Sequence, residues 1–216
     1  MRKCHIIVQE AVNQMENAAR IALDALVSSR IEQEPAFTDR LLGGIEHAMD
    51  GFRHEGIIWT AKTFTDRGHK SQESRIGADF AGVLKLDLAR VSLSTGFLAQ
   101  AKLVDPRDSL SKKEYQRLVS QCRFMLHISP ASYVFLYSVS GIQIVPAISL
   151  TNAKQRNPYL LYKMTFSQFF EYHLASFIGD YRLGIPSIEA IKNLRTDSIA
   201  QRVLFLSATS SKSRSK

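Results

Sequence analysis

An aspartate, a glutamine and a lysine bracket one apolar stretch of this chain. The stretch opens on Gly77-Ala78-Asp79 and closes on Gln100-Ala101-Lys102, and turn-prone Ser94, Thr95 and Gly96 divide it into two halves of strand length. Apolar runs flanking turn residues predict a β-hairpin. Side chains alternate across a strand, so Asp79, Ala81 and Val83 share one face of the first strand, while Gln100 and Lys102 share one face of the second. A carboxylate, an amide and an ammonium group can therefore meet at one end of the hairpin. The same residues also read as an amphipathic hairpin with one exposed Asp and one exposed Lys, because short patterns arise easily.

With Glu73 ahead of it, the Gly77-Ala78-Asp79 entry and the Gln100-Ala101-Lys102 exit resemble the PD-(D/E)XK nuclease superfamily, in the branch that carries Gln-x-Lys for Glu-x-Lys. Glu34-Pro-Ala-Phe-Thr38 looks like the segment before the first strand of such nucleases. Ser129 to Ser138, Gly141 and Val145-Pro146-Ala147 resemble the same branch, so the likeness covers residues 34–147. It implies an α/β (α+β) fold with a restriction-endonuclease-like αβββαβ core, a mixed central sheet flanked by helices. It also implies a Mg²⁺- or Mn²⁺-dependent endonuclease acting on nucleic acid, DNA ahead of RNA, in host defence or restriction. Two other classes stay open: a nuclease-like module that binds nucleic acid or a partner protein but cuts poorly, and a structural subunit of a larger complex.

The chemistry accounts for the residue types. Phosphodiester hydrolysis builds negative charge on the non-bridging oxygens and the leaving alkoxide, and a hard divalent cation held by carboxylates stabilises it. The resemblance implies Asp79 as the central metal ligand, with the Gln100 amide and the Ala101 carbonyl as neutral oxygen donors. Lys102 would orient and help deprotonate the attacking water or neutralise the scissile phosphate. Gln100 leaves the site one negative charge short, so a second acid is expected, Glu73 as a further ligand or Glu34 from a helix. Glu34 also reads as a dipole-stabilising acid near a helix N-terminus. In the polar loop from Asp66 to Ser74 and just beyond it, Lys70 and Arg75 can receive phosphates, though such a run equally describes a solvated surface. Gln116, on the helix after the lysine strand, is the third candidate for substrate binding.

The elements that must position these groups follow from periodicity. Residues 6–32 predict one long amphipathic helix, and a second runs from near Pro35 to about Asp50, with Thr38 or Glu34 serving its free N–H groups. Gly56 to Thr65 predicts the first core strand. Ser111 to Glu114 is a capping-box pattern that starts a helix to about His127, and Tyr133–Tyr137 with Ile142–Val145 forms a second hairpin. Thr165 to Ile178 predicts an aromatic-rich helix in which His173 packs in the core, and a short helix follows to Leu194. Val203 to Leu206 is expected to be a closing strand and Ser207 to Lys216 a disordered basic tail. The expected organisation is one domain over residues 1–206, with the core at 34–147 and a helical C-terminal region at 150–206.

A formal net charge of +8 favours polyanionic partners. Cys4 and Cys122 are far apart and form no CxxC, which argues against a disulfide scaffold or a zinc knuckle. The apolar run after His5 is too short for a signal core or an anchor, so a cytoplasmic protein without a membrane partner is expected. The first helix could also serve a homo-oligomer or a defence-system partner protein. No P-loop, G-x-S-x-G or His/Cys zinc spacing is present, which disfavours kinase-like and serine-hydrolase chemistry.

Overall fold

The computed structural model describes residues 2–65, 78–89, 91–184 and 199–210. Helix α1 spans Arg2–Val27 and buries Val8, Val12, Met15, Ala19, Ala22 and Leu26, the stripe expected at three- and four-residue steps. It stops five residues earlier than the sequence predicts. The N–H groups of Arg30 and Ile31 turn back to the Ala25 carbonyl, and Ser29 takes a left-handed φ of 54°, which ends the helix. Helix α2, Glu34–Met49, buries Phe37, Leu41, Leu42, Ile45 and Met49 and packs along α1.

The strands are β1 (Arg53–His54), β2 (Ile57–Thr65), β3 (Phe80–Leu88), β4 (Val91–Leu103), β5 (Ser132–Ser138), β6 (Gly141–Pro146), β7 (Met164–Thr165) and β8 (Arg202–Ser210). Between them stand α3 (Lys112–Ile128), α4 (Ala147–Thr151) and α5 (Phe166–Leu174). The strands form one open mixed sheet in the order β1-β2-β8-β3-β4-β5-β6-β7. Two pairs are parallel, β3 with β8 and β4 with β5. On one face Phe80, Phe97, Ala99, Ala101, Phe135 and Tyr137 pack with α1, α2 and α5. On the other, Ala81, Val83, Leu98 and Val134 pack with Leu118, Cys122 and Met125 of α3 and Leu150 of α4. The result is an α+β fold with helices on both faces of the sheet. The Ser111/Glu114 capping box forms as expected, with Ser111 accepting from the Glu114 N–H and Glu114 from the Ser111 N–H.

Three expectations need correction. Ser94, Thr95 and Gly96 are not the hairpin turn. β3 and β4 pair continuously from Phe80 opposite Ala99 to Leu88 opposite Val91, so all three residues lie inside β4. Gly96 is there for close approach, since a Cβ would stand 2.9 Å from both the Gly82 carbonyl oxygen and Leu183. The expected closing strand is a central one, inserted between β2 and β3, and it continues through Ser207–Ser210 instead of yielding to a disordered tail. The region after residue 150 is therefore not purely helical. Its expected helix ending at Leu194 falls within 185–198, outside the described residues.

Candidate active site

The site lies at the end of the β3–β4 pair where β4 runs on past β3, still paired with β5 as far as Leu103. Asp79 stands one residue ahead of β3, and the pairing of Phe80 with Ala99 sets it opposite Gln100. Its neighbour Ala78 is tied to the residues leading into β8, donating to the Ile199 carbonyl at 2.8 Å and accepting from the Gln201 N–H at 3.1 Å. Asp79 is thereby clamped between that segment and β4. Its Oδ2 accepts the Ala101 N–H at 2.8 Å and the Gln100 side-chain amide through Nε2. Gln100 is fully buried, and its Oε1 has no hydrogen-bond partner among the described residues.

Two residues along β4, Lys102 Nζ donates to Oε1 and Oε2 of Glu34 at 3.0 and 3.2 Å. The Leu103 N–H donates to Glu34 Oε2 at 3.0 Å, so this carboxylate closes the end of β4. Glu34 does not cap α2, which has no side-chain cap. Thr38 does not serve the free N–H groups either, because its hydroxyl turns back to the Glu34 carbonyl at 3.0 Å. Thr38 Oγ1 also lies 3.3 Å from the buried Tyr137 hydroxyl, beneath Glu34. Arg202, at the start of β8, pairs with Asp39 of α2 and draws that helix onto the sheet.

The electrostatics set Asp79 apart. Burial pushes its pKa up from the ordinary carboxylate range to about 6; the Ala101 N–H opposes the rise, Glu34 adds to it, and Lys102 and Arg202 counter it. Burial also raises the Tyr137 hydroxyl, and both acids push in the same direction. The Cys122 thiol, on the buried face of α3, is pushed up to about 12 by burial and is an inert packing group.

The donor set fits a hard cation. Asp79 supplies carboxylate oxygen, Gln100 a buried and unpartnered amide oxygen, and the Ala101 carbonyl belongs to the residue whose N–H already fixes Asp79. The Gln100 amide presents its hydrogens to Asp79, which is where positive charge is called for. Rotating that amide brings Oε1 to the same place. The Glu34 carboxylate stands close enough to raise the Asp79 pKa, with most of its lone pairs committed to Lys102 and Leu103. No group of three or more His, Cys, Asp or Glu side chains suited to a metal lies together among the described residues.

The expected residues thus divide. Asp79, Gln100, Ala101, Lys102 and Glu34 come together. Glu73, Lys70 and Arg75 lie outside the described residues. Gln116 does not join them; it is exposed on α3 and no side-chain hydrogen bond ties it to the cluster among the described residues. Sequence reasoning missed Thr38 and Tyr137 beneath Glu34, and Arg202, whose proximity to Asp79 follows from the central placement of β8. No known protein family, curated protein or solved structure matches the chain. None of the described helices is long and apolar enough to cross a membrane.

Proposed function

We propose that this protein is a divalent-cation-dependent phosphodiesterase that cuts nucleic acid, DNA ahead of RNA, on a restriction-endonuclease-like core. One observation carries the reading: Asp79 bound to Gln100 and Ala101, beside the Lys102–Glu34 pair, at one end of a central hairpin. With the two-residue β1 set aside, the chain order α2, β2, β3, β4, α3, β5 follows the αβββαβ order that the resemblance implies and supports the same reading.

Asp79, Gln100 and Ala101 would hold Mg²⁺ or Mn²⁺, which supplies Lewis-acid stabilisation of charge on the phosphate oxygens. Lys102 contributes a positive charge and three N–H donors, and Glu34 fixes where they point. From that position Lys102 orients the attacking water towards phosphorus and offsets charge on the scissile phosphate. Lys102 and the Leu103 N–H keep the Glu34 carboxylate from swinging to solvent. Attack forms the new P–O bond as the bond to the leaving alkoxide breaks, and a proton from water restores the alcohol.

A second reading, a nuclease-like module that binds without cutting, draws on one feature. The described site has two carboxylates, and one of them is occupied by a lysine. Calorimetric titration with Mn²⁺ separates the two. Cation binding that disappears in Asp79→Ala and persists in Lys102→Ala is the expected pattern. Absence of binding by the unaltered protein would favour the module without chemistry.

A further inference from the structure

Charge is distributed unequally between the two faces of the sheet. From Tyr115 to Phe170 the chain carries Arg117, Arg123, Lys154, Arg156 and Lys163 and no Asp or Glu at all. That segment includes nearly all of α3 and all of α4, the layer towards which Gln100 projects by alternation with Ala99 and Ala101, with Lys102 two residues on turning its ammonium to Glu34 at the start of α2. The opposite layer is balanced or acidic: α1 sets Arg2, Lys3 and Arg20 against Glu10, Glu16 and Asp24, and α2 sets Arg40 against Glu34, Asp39 and Glu46. Along α3, Lys113, Arg117, Arg123 and His127 are exposed. At its far end Arg123 and His127, one turn apart, meet Thr151 and Asn152 at the close of α4 around a recess of about 250 Å³ floored by Leu126.

We infer that this layer is the polynucleotide-binding surface and that the recess seats a backbone phosphate remote from the cleavage point. The strand lies along α3, from Lys113 near the Lys102 end of the site to the recess. Lys113 to His127 spans about 21 Å at 1.5 Å per residue, which corresponds to roughly six phosphates of one strand. Arginine offers a planar fork to phosphate oxygens. The Asn152 amide adds a neutral donor, since only one of its two hydrogens is turned to the Ile148 carbonyl, whereas the Thr151 hydroxyl donates to that carbonyl at 2.9 Å and only lines the recess. Contacts of this kind position a polynucleotide without reading its sequence.

The assignment rests on the nucleic-acid reading above, although its test does not depend on cleavage. Binding of the full-length protein to a fluorescent DNA duplex is measured in EDTA across a salt series. The double variant Arg123→Ala/His127→Ala should bind about ten-fold more weakly and lower the slope of log affinity against log salt by about one to two, with unchanged thermal melting. Arg123→Lys, which keeps the charge, should retain most of the affinity. Arg20→Ala removes the same charge from the opposite layer and should change nothing. An equal loss in Arg20→Ala would show a bulk charge effect and overturn the assignment. So would duplex binding unaffected by the double variant. Failure of the cleavage reading would instead appear as Asp79 variants that cut like the unaltered protein, with this binding result untouched.

Discussion

A carboxylate largely withdrawn from water beside another carboxylate resists ionisation, and the partly buried Asp79 is in that position. Its folded pKa of about 6 exceeds the unfolded value, so the folded chain binds the extra proton between those two values. Stability therefore falls as pH rises through that window, and above it the ionised group costs up to about 3 kcal/mol. Asp79→Asn keeps an acceptor for the Ala101 N–H and removes the charge. At pH 8 urea denaturation should show the variant more stable by up to about 3 kcal/mol, while cleavage is lost. A variant less stable than the parent would mean that the carboxylate holds the fold together. Glu34→Gln tests the neighbour: it keeps an acceptor for the Leu103 N–H but weakens the hold on Lys102. Turnover should drop about 10- to 100-fold with melting unchanged, as for residues that orient a reacting group; unchanged turnover would remove Glu34 from the site. The Asp79, Gln100 and Lys102 triplet was legible because strand alternation is a local rule with a period of two. Glu34 entered only through the resemblance, and Arg202 could not be read at all, because its place depends on where β8 inserts.

Elements show where local signals mislead. Ser, Thr and Gly at 94–96 carry turn chemistry in sequence, yet β4 runs straight through them. Its first half extends beyond the β5 pairing, and the loop at 179–184 covers it: Gly96 and Asp180 exchange backbone hydrogen bonds at 3.0 and 2.8 Å. Gly82 answers to packing on the other face of the sheet, as a Cβ there would lie 2.2 Å from the Phe97 ring. Gly96→Ala should therefore destabilise the protein by about 1–3 kcal/mol through overpacking, measured as a shift in denaturation midpoint. An unaffected midpoint would show that the 179–184 loop yields freely. α5 supplies a second test. His173 packs edge-on against Phe97, donates through Nδ1 to the Ile178 carbonyl, and leaves Nε2 without a partner among the described residues. Burial lowers its pKa to about 4. The unfolded chain takes up the proton first, so stability is full above about 6.5 and declines by about 3 kcal/mol as pH falls towards 4. His173→Phe should flatten that part of the stability–pH profile. A profile as steep as the parent's would place the responsible proton elsewhere. β8 illustrates the limit of local reading from another side: its apolar centre marks it as a strand, but antiparallel pairing with β2 and parallel pairing with β3 are decided by tertiary contacts, and these also carry the polar end to Ser210.

At the scale of the molecule, the sheet separates two different surfaces. The layer of α1 and α2 covers one face, with Phe97 and Phe135 packed against Phe169 of α5 beneath the same side. The layer of α3 and α4 is positively charged, and the partly buried Asp79, the Gln100 amide oxygen that has no partner among the described residues, and Lys102 stand at one end of the hairpin. Overall composition announced the excess of positive charge without showing that α3 and α4 share one face while the more acidic α1 and α2 share the other, because only the fold decides which helices share a face. The central claim is that the Asp79 cluster cuts phosphodiester bonds with a divalent cation. It is tested most directly by incubating the purified protein with linear, circular and single-stranded DNA and with RNA, in Mg²⁺, Mn²⁺ or EDTA, beside Asp79→Ala and Lys102→Ala. The expected result is cleavage, of DNA above all, that requires Mg²⁺ or Mn²⁺ and is absent in EDTA and in both variants. Cleavage that survives in Asp79→Ala, or intact substrates in every condition with the unaltered protein, would contradict the claim.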